Sequence, residues 1–585
     1  MTLKIFELGG ILWRLAPFVV FGLVALWRAR PGFVVLDSAS KARYSLLMYV
    51  FQLSCSVIYF FVVSFTLLRD WAWGKLVGVS WRMIYDPMPH ISEYNEPTYF
   101  VDWDQPQPKS LALVDDNWLV NPTNYYYEME SLGGWTTITF GVDGLSLCLI
   151  LLTAFIVPLG ILYCWRNVAD REAMCYYLRF LEIRLIVAFW TRDFLVFFIC
   201  FELIMWPMFR LIVVWGAHEQ KKKAAMSFIL YTVFGSLILL VVILVMLLSF
   251  GTTSIDHILD LAPEHAWWTS LLWLPAFIAF AVKVPTFPFH HWLTLAHVEA
   301  PTVGSVILAA LLLKLGSYGF LRFMLPIFKN PDSFQFFMPV AATLCLLSII
   351  FAAMMAISQS DLKRIIAYSS IAHMNFSRLG LMSMTDRAIV GGTILFVAHG
   401  FVSAGMFFSV GFRYDRYHQR DLMYFRGLTT VAPVFSLFFF LFNLANLGVP
   451  LSFNFLGEFL IFAELINIYH FAAPRLVIAL IVQVGYTMKL ISILFGEVIY
   501  FPQSSALSWS DLSIHEIVIA LLLIVPVWWF GVQGWSIIEY MTMIDPLMNR
   551  VDDGYALYTE ELFNHEGFWQ YRMKPGQWLG FWWSI

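Results

Sequence analysis

The sequence predicts an all-α polytopic membrane protein of about fourteen transmembrane helices, each needing about 20 apolar residues. Three observations carry that reading. The 585 residues are 60% hydrophobic and 13% charged, about half the charged share of a soluble domain. Apolar stretches of spanning length recur along most of the chain. Two of them, five spans apart, are interrupted by proline or glycine, the pattern of two inverted repeats with broken helices at matching positions.

The spans fall at 8–27, 44–68, 138–164, 173–191, 193–216, 225–250, 268–294, 302–325, 335–357, 362–384, 387–412, 428–468, 472–499 and 513–534. The first two make an N-terminal pair within 1–68. Residues 69–137 are polar and aromatic, with prolines at 87, 89, 97, 106, 108 and 122, and read as an extramembrane insertion or subunit-contact loop. The core runs from 138 to 534, with spans 4–8 and 9–13 as the two five-helix repeats. Span 7 carries Pro285 and Pro288, and each proline frees a backbone carbonyl one turn earlier. At membrane depth such groups must be satisfied by protein or water. Span 12 is too long for one straight crossing; Gly448 and Pro450 divide it into two half-helices. The tail 535–585, rich in Trp, Tyr and Phe, is expected on the membrane surface or on a neighbour.

The charge pattern sets orientation. Loops after odd-numbered spans are basic, with Arg28, Arg30, Lys41 and Arg43, then Arg166 and Arg171, Lys221–Lys223, Lys363 and Arg364, and Arg413, Arg416, Arg420 and Arg426. Opposite loops hold single basic residues or acids such as Asp256, Asp260 and Glu264. Odd loops therefore face the positive-inside compartment, and both termini and 69–137 face the other. A net charge of −4 gives no case for nucleic-acid binding. The six cysteines include no C-x-x-C, so they read as packing residues rather than cluster or metal ligands. No A-x-A-like cleavage site follows the first apolar run, and no removed signal peptide is expected.

Glu202, Lys283, Lys314 and Glu458 lie in or beside spanning stretches. A charge at the bilayer centre costs a few kcal/mol or more, so such residues usually face a wet cavity, pair with one another, and mark an ion path. Burial weakens a lysine's hold on its proton and a nearby carboxylate restores it. A separable Glu202–Lys283 pair is thus a proton switch; a static buried ion pair stays open as the alternative. Lys314 has no carboxylate in its own span and asks for water or a histidine, with His290, His291 and His297 preceding it. Histidine titrates near neutrality and relays protons. His373 and His399 fall in spans 10 and 11, and Asn443 and Asn446 precede the break before Glu458. Read together they trace a line in the membrane plane: Glu202, Lys283, His297, Lys314, His373 or His399, then Glu458.

The stretches FGVDGLSLCLILLT, FELIMWPMF, VKVPTFPFHHWLTLAHVEAPTVGSVILAALLLKLGSYG, SDLKRIIAYSSIAHMN and FNLANLGVPLSFNFLGEF resemble the antiporter-like membrane subunits of respiratory complex I over roughly residues 138–500. The resemblance implies fourteen core helices with two inverted five-helix repeats, and proton translocation driven by electron transfer elsewhere in NADH:ubiquinone oxidoreductase. It implies Glu202–Lys283 as the ion pair, Lys314 with His297 as the central relay, and Glu458 as the terminal carboxylate. His290, His373 and His399 follow as secondary relay residues. A glutamate at 458 points to one family member, where another typically has lysine, and the chain has no room for a third member's long lateral helix.

The resemblance also implies no cofactor on this chain: NADH, FMN, iron–sulfur clusters and ubiquinone belong to other subunits. Expected partners are the other membrane-arm subunits, including neighbouring antiporter-like ones and a lateral helix from the fifth-type subunit. Lipids and accessory subunits on 69–137 and 535–585 complete them. The expected site is the mitochondrial inner membrane, basic loops facing the matrix and termini the intermembrane space, or the inner membrane of a bacterium. Arg184, Arg210 and Arg378 depart from the family's pattern, with Glu182, lipid phosphate or an added subunit as expected partners. Mrp-type cation/proton antiporters share the motifs and are the alternative; an inactive structural scaffold comes third.

Overall fold

The computed structural model describes residues 125–130 and 137–534, with short breaks at 168–169, 218, 262–265, 329–330, 384, 469–471 and 497–509, and six residues between 53 and 64. The expected spans 8–27 and 44–68, most of 69–137, and 535–585 therefore lie outside the described residues. A two-stranded sheet, β1 (Tyr125–Glu130) and β2 (Thr137–Val142), precedes the helices.

Spans 3–14 each fall on a helix or a broken pair. They are α1 (Gly144–Asn167), α2 (Arg171–Trp190), α3 (Phe194–Trp215) and α4 (Lys221–Phe250), then, after a short connecting helix α5 (Ile255–Leu261), α6 (Ala266–Lys283) and α7 (His291–Glu299). The chain continues through α8 (Thr302–Ile327), α9 (Pro331–Ser358), α10 (Leu362–Met382), α11 (Asp386–Tyr417), α12 (Pro433–Leu447), α13 (Phe453–Ile468), α14 (Ala472–Leu494) and α15 (Ile514–Val532). Among the described residues, eight helices are long and apolar enough to cross a membrane, by length and composition. Broken span 7 is α6–α7 and broken span 12 is α12–α13, as the prolines and Gly448 predict. The short α5 is unforeseen, because seven residues are too few for a readable hydrophobic period.

The two repeats show themselves in their helix starts. Asp193 caps α3 by accepting from Val196 N, and Asp361 caps α10 by accepting from Lys363 N, each at 2.9 Å. Such a cap satisfies one of the orphan amides of a helix N-terminus. Each aspartate also forms an isolated bridge to the loop after the next helix, Asp193 to Ser254 and Asp361 to Asp421. The flanking hydrogen bonds match: Phe194 N to Thr253 O and Ile255 N to Arg192 O, against Leu362 N to Arg420 O and Leu422 N to Ser360 O. These two starts belong to spans 5 and 10, five apart, so they are related positions of two repeats of opposite direction.

Loop contacts follow the same parity. Ala217 N bonds Glu299 O, Leu362 N bonds Arg420 O, and Arg420 bonds Val298 O. Arg416 reaches Ser510 and Asp511. These tie together the loops after spans 5, 7, 9, 11 and 13. On the other side Arg192 pairs with Asp256 at 2.6 Å, joining the loops after spans 4 and 6.

α11 is the central element: its whole apolar window is buried, against a third of that of α4. Leu230, Phe234, Leu237, Val241 and Leu248 of α4 are exposed, as suits a face turned to lipid. Helix association in lipid rests on close van der Waals contact and small residues. Gly316 of α8 is such a residue, since a Cβ there would press on Val284 and, at 3.2 Å, on Lys283 Cβ. It lets the end of α6 lie directly on α8.

Candidate functional site: a buried chain of lysines, histidines and carboxylates

Lys314 is fully buried in α8. Two π-turns, Leu308–Leu312 and Phe320–Met324, flank it. Such turns loosen the regular ladder and are frequent at functional sites. Lys314 Nζ donates to Ala309 O at 2.7 Å and lies 2.9 Å from His399 Nδ1 on α11. A lysine ammonium has donors only, so Nδ1 accepts and the imidazole hydrogen sits on Nε2. That nitrogen lies 3.1 Å from Ser370 Oγ on α10, which in turn donates to Ile366 O at 3.0 Å. The network therefore assigns the tautomer. Counted from the cap aspartates, Ser370 holds the place in its repeat that Glu202 holds in the other.

His399 continues to His373, with ring centroids 5.6 Å apart. His373 Nδ1 lies 3.0 Å from Glu458 Oε1. Glu458 is seated by the break in span 12: Gly448 ends α12 with φ +74°, and its Cα faces the Glu458 carboxylate. Beside them Asn446 Nδ2 donates to Tyr486 Oη at 3.2 Å, and Gln483 Nε2 donates to Asn446 O at 3.1 Å. A cavity of about 10 Å³ between His373, Phe376 and Gln483 has room for about one water molecule. A larger cavity of about 260 Å³, lined by Trp273, Phe277, Phe287 and Phe337, is almost wholly apolar and stands off this chain.

Lys283 ends α6 and is 8% exposed. Its Nζ lies 3.5 Å from the Phe201 ring centroid and 3.3 Å from Met205 Sδ. Glu202 is the carboxylate that acts on it electrostatically, but the two make no ion pair within 4.0 Å. The expected pair is thus open. Glu202 Oε1 is buried without a hydrogen-bond partner. What Lys283 Nζ meets instead are Phe201 and Met205, one residue before and three after Glu202, a π-face and a soft sulfur.

The break after Lys283 is closed by side chains the sequence did not single out. Trp292 Nε1 donates to Val282 O at 2.9 Å, Thr286 Oγ1 to Val284 O at 2.8 Å, and Asn375 Nδ2 to Pro285 O at 3.0 Å. Arg378 donates to Thr286 Oγ1 at 2.9 Å, with its guanidinium carbon 5.2 and 4.9 Å from the Phe277 and Phe320 ring centroids. Asn375→Leu leaves a buried carbonyl without its donor and is expected to destabilise by roughly 1–3 kcal/mol. Arg378→Leu leaves Thr286 its own carbonyl acceptor, so its loss is smaller. Thermal unfolding of the purified assembly checks the order.

Three expectations shift. Lys314's histidine partner is His399, across 85 residues, rather than His290, His291 or His297. His297 is fully buried, stacked on Phe407 at 4.7 Å, with both ring nitrogens lacking a partner. His290 packs beside Phe287 and Phe351 near the surface, and none of its contacts involves another relay residue. Of the unusual arginines, Arg184 lies over Phe180 and Arg210 is exposed. Glu182 pairs with Arg179 at 2.6 Å. Arg378 meets Thr286, not lipid.

Comparison with known proteins adds a family to this geometry. Residues 191–484 match the family described as NADH:quinone oxidoreductase/Mrp antiporter, transmembrane. NADH-ubiquinone oxidoreductase chain 4 of Marchantia polymorpha is 41% identical over 403 residues, 68% of this chain and 80% of the relative. The same chain of Arabidopsis thaliana is 40% identical over 395 residues, 67% and 78%. Among solved structures, a chain of respiratory complex I from Thermus thermophilus with bound NADH aligns with a TM-score of 0.66 and 27% identity, covering 74% of this chain and 90% of that one. A chain of the Mrp complex from Dietzia sp. aligns with a TM-score of 0.64 at 17% identity, covering 73% and 87%, which speaks for the fold alone.

Proposed function

The chain belongs to the NADH:quinone oxidoreductase/Mrp antiporter family, and we infer that it is a proton-translocating membrane-arm subunit of NADH:ubiquinone oxidoreductase, of the chain 4 type. The identity of about two fifths to chain 4 relatives favours this over the Mrp-type antiporter. Glu458, the residue by which the sequence resembles the fourth mitochondrially encoded subunit, agrees with it.

The observation that carries the mechanism is the run Lys314–His399–His373–Glu458, with 2.9 Å and 3.0 Å at its two ends and 5.6 Å between the two ring centroids in its middle. Lys314 gives a proton to His399 Nδ1, and the imidazolium then holds two hydrogens. From His399 the excess proton crosses the 5.6 Å between the ring centroids to His373, and from there it passes to Glu458, 3.0 Å from His373 Nδ1. Lys283 reloads Lys314 when the Glu202 charge no longer holds it. Because that pair is open and Lys283 rests on Phe201 and Met205 instead, Lys283 responds to charge changes arriving from a neighbouring subunit. Moving one charge against 100 mV costs about 2.3 kcal/mol. A roughly fiftyfold change in proton affinity supplies that, at about 1.4 kcal/mol per tenfold.

The redox cofactors sit on other subunits in this reading, and this chain supplies only proton carriers. Its neighbours are other membrane-arm subunits, with a lateral helix of the fifth-type subunit alongside. Accessory subunits and lipids cover 69–137 and 535–585. The membrane is the mitochondrial inner membrane, with the basic loops after odd spans on the matrix side. Lys283→Ala in the assembled complex is the test: fewer protons are pumped per NADH oxidised, at normal assembly. Undiminished stoichiometry overturns the role.

A further inference from the structure

The apolar cavity of about 260 Å³ that stands off the relay lies between α6, the break of span 7 and α9. Leu274, Phe287 and Val340 at its rim are exposed, whereas Phe277, Thr286 and Ala341 at its inner end are buried. It therefore opens where apolar side chains face outward, towards lipid. Its walls are stiff: Trp273 stacks on both Phe277 and Phe337, with ring centroids 5.2 Å apart in each pair. Phe287 N donates to Ser348 Oγ at 2.7 Å, which holds the rim against α9. The volume exceeds the roughly 150 Å³ of a cavity that takes benzene, so part of a hydrocarbon chain fits. Among the lining side chains only Trp273 and Thr286 carry a polar atom.

Behind the inner end stands Arg378. It does not line the cavity but touches two side chains that do. Its Nη1 donates to Thr286 Oγ1 at 2.9 Å, and its guanidinium carbon lies 5.2 Å from the Phe277 ring centroid. Arg378 is fully buried, and a guanidinium in a protein keeps its charge. Among the described residues no carboxylate pairs with it within 4.0 Å; the titratable group that acts on it is the Cys345 thiol. Its Nε and Nη2 both lack a hydrogen-bond partner. Those two nitrogens form one edge of the fork, the kind of edge that holds a carboxylate by two parallel bonds. A buried charge without a counter-charge is strongly destabilising, and the Phe277 and Phe320 rings offset only part of that cost.

We propose that this cavity binds a long-chain fatty acid, its carboxylate inward on Arg378 and its hydrocarbon outward through the rim into the bilayer. The carboxylate supplies the counter-charge that the guanidinium lacks. Thr286 Oγ1 keeps its own bond to Val284 O at 2.8 Å, so the ligand can replace it as acceptor without leaving the hydroxyl unpaired. The lining selects the ligand class, because it is polar at one end only. A phospholipid would bring ester groups and a larger head between aromatic walls that offer them no partner, and burying unpaired polar groups is costly. Thr286 lies three residues past Lys283, so occupancy changes the charge beside the break of span 7 without adding a proton carrier.

The test uses the whole detergent-solubilised complex and a palmitate analogue with a photoreactive diazirine close to its carboxyl end. Peptides covering 273–289 and 337–344 are expected to carry the label. Palmitate should displace it, and hexadecanol, with the same chain and no charge, should not. Arg378→Leu should weaken labelling about tenfold, the scale of one lost charge-assisted contact. Arg378→Lys, which keeps the charge, should retain more label than Arg378→Leu. Ala341→Leu, which fills the inner end with Arg378 in place, should weaken labelling as Arg378→Leu does. Native electrophoresis checks that each variant assembles. Equal displacement by hexadecanol in the unaltered complex, or full labelling in Arg378→Leu, reduces the cavity to an apolar pocket and overturns the carboxylate site. Equal loss in Arg378→Leu and Arg378→Lys assigns Arg378 to packing and also overturns it, as does absence of label from both segments. Labelling should persist in Lys314→Met, so failure of the relay leaves this site standing.

Discussion

Lys314→Met is expected to assemble and to lower proton flux through this subunit by roughly a hundredfold, the lower range for losing a positioned proton-transfer group. In the proposed relay Lys314 is the residue that hands protons to His399, 2.9 Å away, and it has no exposed atom. Methionine matches its length and fits an apolar site, and exchange of a buried charge for a packed apolar side chain is often neutral in stability. What the variant loses locally is the donor to Ala309 O and to His399 Nδ1, about 1–3 kcal/mol for groups left unpaired. The folded assembly should therefore survive while the relay is cut. Proton uptake into liposomes, measured against NADH oxidation and native electrophoresis, checks it. Normal pumping at normal assembly would sink the central-relay role.

The second large effect is at Gly448. Its φ of +74° belongs to the left-handed region, where an L side chain costs roughly 1–2 kcal/mol. A Cβ there would also collide with Glu458 Oε2. Relief of that collision must either move the carboxylate away from His373, 3.0 Å from its other oxygen, or shift the joint between α12 and α13. Gly448→Ala is thus expected to lower both the thermal stability of the assembly and its pumping, although residue 448 carries no proton. The informative comparison is with Glu458→Gln, which removes the charge but leaves the joint relaxed. It should cut pumping with little loss of stability. A Gly448→Ala complex with unchanged melting and full pumping would contradict the close seating of Glu458 on the joint.

Both predictions use residues the sequence pointed to, but in different measure. Apolar runs, the two breaks and the four charges set in those runs were legible because each is a local property of the chain. The free energy of placing some twenty apolar residues in lipid depends on those residues alone, and a proline removes its own N–H wherever it stands. The repeat was only suggested by the spacing of spans 7 and 12. The matched bridges at Asp193 and Asp361 display it, because backbone geometry persists where side-chain identity has drifted.

Partner choice was not legible. Lys314 could have met His297, which is nearer in sequence; it meets His399 instead, and Lys283 meets Phe201 and Met205 rather than Glu202. Asn375, Ser370, Trp292 and Gln483 entered the site unannounced, since an amide, hydroxyl or indole in a helix is ordinary until a broken neighbour exposes a carbonyl to it. What the sequence determined by itself was therefore where the apolar segments from 138 to 534 lie, which two of them break, and which charged groups they carry. Only the tertiary structure decided which of those groups touch. That depends on the rotation of each helix about its axis, set by close packing such as Gly316 against Val284 and Lys283. Burying a charge is a local cost, whereas pairing it is a long-range result of that packing.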